Sequence, residues 1–262
     1  MTAATNRTLG DVAAYLDELL RTSEIPDYRG AMNGIQVEHI GPVTRCAVAV
    51  DASSRTIEGA IEQQANLLIV HHGLFWAGAQ PIRGHVYGRI RRLIAHDVAV
   101  YASHLPLDLH PTVGNNVLLA RELGLTPASG FGRFESIDVG VKGTCDLATA
   151  TLARRCEQVS RREGGQLVAV GVTPERRTAH WAICTGAGAS SDTLREAKAA
   201  QVDTLIVGEG PHHTAIEAEE LGIAVLYVGH YASETFGVRA LGAEIQRVFG
   251  IPWSFIAAPT GL

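Results

Sequence analysis

The sequence lacks the features that mark disulfide-rich, membrane-spanning and nucleic-acid-binding proteins. Its four cysteines form no Cys-x-x-Cys pair, and 262 residues are enough to fold without disulfides, so we expect reduced, mostly buried thiols. No stretch approaches the roughly 18 apolar residues of a membrane helix. The net charge of −5 gives no reason to expect binding to nucleic acid or anionic lipid. We therefore expect neither a membrane nor a nucleic acid as a partner.

The composition is that of a globular protein. The chain is 46% hydrophobic and 19% charged, and its length suits one large domain or two small ones. Its first ten residues are polar and contain no apolar signal core, which predicts a cytoplasmic protein. One local basic stretch, Arg83 to Arg92, has two interpretations, a solvated helix face or a phosphate-binding rim.

Short apolar runs alternate with amphipathic segments along much of the chain. After an opening helix capped by Thr8, the pattern predicts buried strands separated by helices. The predicted strands are Cys46 to Val50, Asn66 to Val70, Val98 to Ala102 and Ile223 to Val228, and the predicted helices include Ser53 to Ala65, Gly88 to His96 and Asn115 to Leu123. Strand, helix and strand in this order favour an α/β protein with mostly parallel strands and crossover helices.

An internal repeat divides the sequence into two similar halves. Residues 52–73 align with residues 189–210 without gaps, and ten of the 22 positions are identical. A second correspondence places His104 and Asp108 opposite His230 and Glu234. We predict a first α/β half at 1–126 and a second at 127–262, with 127–171 as a connecting segment that holds one helix. A metal site between the halves is expected, since strand ends converge in such folds.

Histidines and acidic residues follow three of the predicted strands. His71 and His72 come directly after the second strand, and the carboxyl ends of strands face the binding crevice of α/β sheets. The pairs His104/Asp108 and His230/Glu234 have a four-residue spacing that places both side chains on one helix face. One such motif by itself is more often structural. Three His-containing motifs at the strand ends of a sequence repeat favour metal binding.

The ligand types restrict the metal and the chemistry. Imidazole and carboxylate without thiol suit zinc, iron, manganese, cobalt or nickel, and fit calcium poorly. Two such ions per chain would support metal-assisted hydrolysis. The sequence contains no Gly-x-Ser-x-Gly elbow, Walker loop or His-Glu-x-x-His helix, so the corresponding enzyme classes have no support.

Together, four motifs resemble the NIF-three-like dinuclear metal-centre family, many of whose members carry the label GTP cyclohydrolase I type 2 homologue. The motifs are His-His-Gly-Leu-Phe at 71–75, Tyr-Ala-Ser-His-Leu-Pro-Leu-Asp at 101–108, Gly-Asn-Asn-Val-Leu-Leu-Ala at 114–120 and Gly-His-Tyr-Ala-Ser-Glu at 229–234. The resemblance extends over nearly the whole chain. It implies a two-domain α/β protomer, a homo-hexamer built as a trimer of dimers, and a di-metal centre.

Carried over by position, the resemblance assigns the metal ligands to His71, His72, Asp108, His230 and Glu234. Glu234 is the expected bridge between the ions, and His104 matches a histidine beside the site, a second-shell or acid–base group. The chain departs from the family pattern at Gly73, where proline is usual, and near Asn33, where a tryptophan and an aspartate are missing. These departures concern the loops that would contact a substrate.

Three functions follow from these features. The first is a metal-dependent hydrolase of a nucleotide-like or phosphorylated small molecule, whose identity the sequence does not give. The second is a non-catalytic metal-trafficking protein, and the third is a regulatory adaptor that binds a protein partner.

Overall fold

The computed structural model describes residues 7–262, which form two compact units. Unit 1 comprises residues 7–107 and Gly237–Ala258, and unit 2 comprises Asp108–Phe236 and Pro259–Leu262. The units do not coincide with the predicted halves 1–126 and 127–262, because the chain returns to unit 1 after Phe236. Among the described residues, no helix has both the length and the apolar character needed to cross a bilayer.

Helices and strands alternate along most of the described chain. Their bounds, in chain order, are α1 (Leu9–Leu20), β1 (Gly34–Val37), β2 (Cys46–Asp51), α2 (Ser54–Glu62), β3 (Leu67–His72), α3 (Gly84–Ala95), β4 (Ala99–Ala102), α4 (Leu105–Asp108), α5 (Asn115–Glu122), β5 (Ser129–Phe134), β6 (Ile137–Ala148), α6 (Thr149–Arg162), β7 (Val168–Val170), β8 (Arg177–Cys184), α7 (Ser191–Ala199), β9 (Thr204–Val207), α8 (His212–Leu221), β10 (Ala224–Tyr227), α9 (His230–Phe249) and β11 (Trp253–Phe255).

Unit 1 is built on a five-stranded sheet in the order β1-β4-β3-β2-β11. The pairs β4-β3, β3-β2 and β2-β11 are parallel, and only the edge strand β1 runs antiparallel to its neighbour. Strands β2 to β4 are almost wholly buried, and helices α2 and α3 pack on one face through Ile57 and Leu93. The predicted α/β architecture is therefore confirmed for this unit.

Unit 2 contains a six-stranded mixed sheet in the order β5-β6-β8-β9-β10-β7. Only β8-β9 and β9-β10 are parallel pairs, so the expectation of mostly parallel strands is wrong for this sheet. Alternate residues of its central strands enter separate cores, with Trp181 and Ile183 on one face and Ala182 and Cys184 on the other. Both faces are thus covered.

The largest correction concerns residues 127–171. This segment holds the predicted helix, as α6, but it also contributes β5, β6 and β7 to the sheet instead of serving as a connection. Strand β5 reads Ser-Gly-Phe-Gly-Arg-Phe, and only two of its six residues are buried. Its apolar pattern is therefore weak, and its place in the fold depends on antiparallel pairing with β6.

Both units contain the same succession of elements. Unit 1 has β2-α2-β3-α3-β4 and unit 2 has β8-α7-β9-α8-β10, each with parallel pairing between neighbouring strands. Helix α2 is capped by Ser53 and helix α7 by Ser190, which are corresponding positions of the sequence repeat. An origin of the two halves by duplication agrees with this succession and stays a prediction.

The Ser53 cap provides a test of the local structure that connects β2 to β3. The Ser53 hydroxyl accepts from Thr56 N at 3.2 Å, and the Thr56 hydroxyl accepts from Ser53 N at 2.9 Å. We expect Ser53→Ala to lower the free energy of unfolding by about 1 kcal/mol in urea denaturation, since helix donors lose their acceptor. Ser54→Ala, at the exposed next position, is the control. Equal losses in the two variants would contradict the capping role.

Candidate metal centre

The carboxyl ends of parallel strands place His71 and His72 beside other polar residues of unit 1. Both histidines lie within β3, at its end, and not after it as the sequence indicated. In the sheet register, His72 is opposite Asp51 at the end of β2, and Val70 is opposite Ala102 at the end of β4. The ring centroids of His71 and His72 are 4.7 Å apart, so the two imidazoles are neighbours at the sheet edge.

Hydrogen bonds fix which nitrogen of each imidazole carries the proton. His71 Nδ1 lies 2.9 Å from the backbone oxygen of Ser103, and His72 Nδ1 lies 2.9 Å from Asp51 Oδ1. A carbonyl or carboxylate oxygen can only accept, so Nδ1–H donates in both cases. In the neutral imidazole the lone pair is then on Nε2, which is the atom a metal ion would bind.

His104 completes a cluster of three imidazoles in unit 1. It offers one ring nitrogen within 4.8 Å of those of His71 and His72, a spacing that could hold a metal ion. Its Nδ1–H donates to Asp27 Oδ1 at 2.8 Å, and its backbone N–H donates to Asn33 Oδ1 at 2.8 Å. His104 therefore has the same anchored Nδ1 as His71 and His72.

Asp27 is held as a carboxylate although it is buried. Its side chain is 6% exposed, and burial alone would raise its pKa. The hydrogen bond and the charge of His104, with further donation from Asn33 Nδ2 and Leu105 N, outweigh burial and hold the pKa of Asp27 below its ordinary value. Asp27 can therefore orient His104 and stabilise its imidazolium form.

In unit 2, helix α9 begins at His230 and brings Glu234 to the same face. His230 Nε2 and Glu234 Oε2 are 3.1 Å apart, as the four-residue spacing predicted. On the other side of the ring, Nδ1–H donates to Glu209 Oε1 at 2.8 Å. His230 is thus the fourth imidazole whose Nδ1 is held by an oxygen acceptor.

The electrostatics around His230 favour a cation. Burial opposes the charged imidazole, but the carboxylates of Glu234 and Glu209 outweigh it and raise the pKa of His230 to about 9. Two carboxylates that stabilise a proton at this position would also stabilise a divalent ion bound at the same nitrogen.

Asp108 is the second buried carboxylate of this group. A carboxylate oxygen of Asp108 and one of Glu234 lie within 4.8 Å of each other. Asp108 Oδ1 accepts from Asn115 Nδ2 at 2.8 Å and from the Thr185 hydroxyl at 3.4 Å. Two neutral donors therefore orient this carboxylate.

Glycines after the strands of unit 2 make room for these carboxylates. Gly186 follows β8 with a φ of +65°, and a Cβ there would overlap the Glu234 carboxylate. Gly208 follows β9, where a Cβ would collide with the Gly186 backbone. Position 208 corresponds to His71 in the sequence repeat. It is a glycine because the chain there leaves no space for a side chain.

The donor set fits divalent metal. In unit 1, His71, His72 and His104 lie together, and in unit 2 Glu234 lies close to both His230 and Asp108. Four imidazoles have their Nδ1 engaged by Ser103, Asp51, Asp27 and Glu209, an arrangement typical of histidine metal ligands. Among the described residues, no group that could hold a metal ion includes a cysteine, and burial raises the pKa of all four thiols.

Other histidines and the basic stretch lie outside these clusters. His212 and His213 are exposed at the start of α8. In the basic stretch, Arg89 donates to the Ala52 carbonyl at 2.9 Å and Arg92 pairs with Glu58 at 3.2 Å. These contacts favour the helix-face interpretation of the stretch over a phosphate-binding rim.

Comparison with known proteins identifies relatives along the whole chain. The family described as Duf34/NIF3 (NGG1p interacting factor 3) matches residues 7–260. A protein of Halobacterium salinarum named GTP cyclohydrolase 1 type 2 homolog is 41% identical over 259 residues, which cover 97% of this chain and 99% of the relative. One of the same name from Deinococcus radiodurans is 39% identical over 254 residues, covering 96% and 94%.

Solved structures share the fold. The protein ybgI, described as of unknown function, superposes with a TM-score of 0.87 at 32% identity, covering 97% of this chain and 100% of that one. Reduced HcgD from Methanocaldococcus jannaschii superposes with a TM-score of 0.83, covering 97% and 100%, and at 20% identity it shows the fold alone.

Removal of the negative charge at Glu209 tests how its contact with His230 supports metal binding. We expect Glu209→Gln to weaken binding of zinc about 10- to 100-fold in a competition titration with a chromogenic chelator, since the His230 imidazole loses its charged acceptor. Glu220→Gln, which removes the same charge from an exposed position of α8, is the control. Unchanged affinity in Glu209→Gln would show that the negative charge of Glu209 plays no part in metal binding.

Proposed function

This chain belongs to the Duf34/NIF3 (NGG1p interacting factor 3) family, and on that premise we propose that it is a hydrolase that uses a pair of divalent metal ions. The proposed ligands are His71, His72, Asp108, His230 and Glu234. The observation that carries the proposal is the common anchoring of the imidazoles, which directs Nε2 of each ligand histidine away from its oxygen acceptor.

The proposal that both sets of ligands serve the same ions is supported by the sequence. His104 and Asp108 belong to one motif with only three residues between them, although Asp108 is already part of unit 2. Unit 1 supplies only imidazoles to the proposed set, so both of its carboxylates, Asp108 and Glu234, come from unit 2 together with His230. A buried carboxylate is expected to bridge the ions, and Glu234, 2% exposed, is the proposed bridge.

His104 and Asp27 supply the acid–base chemistry of the proposed reaction. Bound divalent ions of these types lower the pKa of water and polarise phosphoryl or carbonyl oxygens. The Asp27 carboxylate fixes Nδ1–H of His104, so that proton exchange with a substrate takes place at Nε2. When Nε2 takes up a proton, the nearby carboxylate stabilises the imidazolium. His104 is therefore proposed as the general acid or base rather than as a metal ligand.

The substrate class is a nucleotide-like or phosphorylated small molecule. Metal-assisted hydrolysis suits phosphoryl and activated carbonyl groups, and the name carried by the relatives adds purine nucleotides to the candidates. The homo-hexamer implied by the motif resemblance stays a prediction of the sequence.

Metal content tests the ligand assignment. We expect the purified protein, reconstituted with zinc or manganese, to retain about two ions per chain. His72→Ala and His230→Ala should each lose at least one of them in elemental analysis. His96→Ala, at an exposed position after α3, should retain both. Less than one ion per chain, unchanged in His230→Ala, would contradict the metal centre.

Turnover tests the role of His104. In a screen of nucleotides and phosphoesters with metal-loaded protein, we expect hydrolysis that falls about 10²- to 10⁴-fold in His104→Ala while metal content is retained. Asp27→Asn should give a smaller loss, because the imidazole remains but loses its charged partner. Full metal loading without turnover on the whole panel would contradict the hydrolase and favour a metal-carrying role.

A further inference from the structure

Two exposed aromatic side chains lie beside the imidazole cluster of unit 1. Trp76 is 37% exposed and Tyr28 is 54% exposed, although large aromatic rings usually bury most of their surface. The centroid of Trp76 is 4.8 Å from that of His104 and 5.8 Å from that of His72. Tyr28 lies 6.0 Å from His104, so both aromatic rings border the same histidine.

The two rings form an open pair rather than a stack. Their centroids are 6.4 Å apart and their planes are inclined by 53°. Two flat, partly exposed surfaces are therefore available next to His104, where a substrate would have to react.

Backbone contacts hold Trp76 in place. Gly30 packs against the Trp76 backbone so closely that a Cβ on Gly30 would lie 2.5 Å from the Trp76 carbonyl oxygen. At the base of the same loop, Leu74 N donates to Gln36 Oε1 at 2.7 Å. The Gln36 amide fills the space beside Gly73 that a larger residue would need. Gly73, where the family pattern usually has proline, is therefore part of a contact that holds the loop of Trp76 against the segment that follows Tyr28.

A polar cavity continues from Tyr28. It has a volume of about 470 Å³, and Ser23, Arg29 and Asn33 are among the residues that line it. Asp17 also lines it, and its carboxylate accepts from the Tyr101 hydroxyl at 2.8 Å. This volume is in the range of small-molecule sites. The exposed Arg29 guanidinium can pair with an anionic group, and Asn33 connects the cavity to His104 through its hydrogen bond to the backbone of that residue.

From this juxtaposition we propose that Tyr28 and Trp76 bind the planar heteroaromatic ring of a ligand whose anionic substituent enters the cavity at Arg29. The ligand class is a ring joined to a polar, negatively charged group, as in a nucleoside phosphate. Stacking on aromatic side chains accepts many rings, so the aromatic pair selects a flat ring, and Arg29 supplies the positive charge for the anionic group. The proposal deepens the hydrolase assignment by naming what part of the substrate is recognised.

The test measures binding without metal, so that its outcome is independent of the proposed hydrolysis. Calorimetric titration of chelator-treated protein with AMP, GMP and ribose 5-phosphate compares ligands with and without a ring. We expect at least one nucleotide to bind about tenfold or more tightly than ribose 5-phosphate. Trp76→Ala should remove this advantage, with about a tenfold or greater loss of nucleotide affinity.

Matched variants separate stacking from damage to the fold. Trp76→Phe and Tyr28→Phe keep a ring and should retain most of the affinity, whereas Tyr87→Ala, at an exposed tyrosine of α3, should leave it unchanged. Equal affinity for nucleotides and ribose 5-phosphate, no detectable nucleotide binding, or equal losses in Trp76→Ala and Tyr87→Ala would overturn the proposal. The zinc content of Trp76→Ala, expected to equal that of the unaltered protein, shows separately whether the metal centre stands.

Discussion

The hydrogen bond from Nδ1 of each clustered imidazole to an oxygen acceptor is the constraint on which the candidate site depends. Without it, a histidine ring can rotate or change tautomer, and the ligand atom is undefined. Here a backbone carbonyl and three carboxylates hold the four rings. The acceptors come from strand ends, from the loop before β1 and from the second residue after β9, so the strand ends and their adjoining loops set the position of each Nε2.

The sheet topology explains why these partners meet. Neighbouring parallel strands end at the same edge of the sheet. The strand register pairs Asp51 with His72, so the imidazole gains an acceptor that no local sequence motif marks. Glu209 reaches His230 in the same way, because the residues after β9 and β10 are joined by the bond from Gly229 N to Gly208 O. Fully buried groups such as His71 and Glu234 are costly to the fold unless they are paired or bind a metal.

The proposed ligands can be recognised in the sequence, but most of the groups that orient them cannot. The His-His pair and the two four-residue spacings are local patterns, so His71, His230 and Glu234 could be recognised directly. Asp27 is 77 residues from His104, and only the folded chain brings them together. Asp51 depends on strand register in the same way. The strands β5 and β6 were missed for another reason, since their glycines and polar residues give little apolar periodicity.

The central claim is that Nε2 of the ligand histidines binds metal while Nδ1 keeps its proton. Long-range ¹⁵N–¹H correlation spectra of histidine-labelled protein, recorded without metal and after zinc addition, test this most directly. We predict that His71, His72 and His230 show a protonated Nδ1 in the zinc-loaded protein and a zinc-dependent shift at Nε2. Coordination through Nδ1, or imidazole signals that do not change with zinc, would contradict the account.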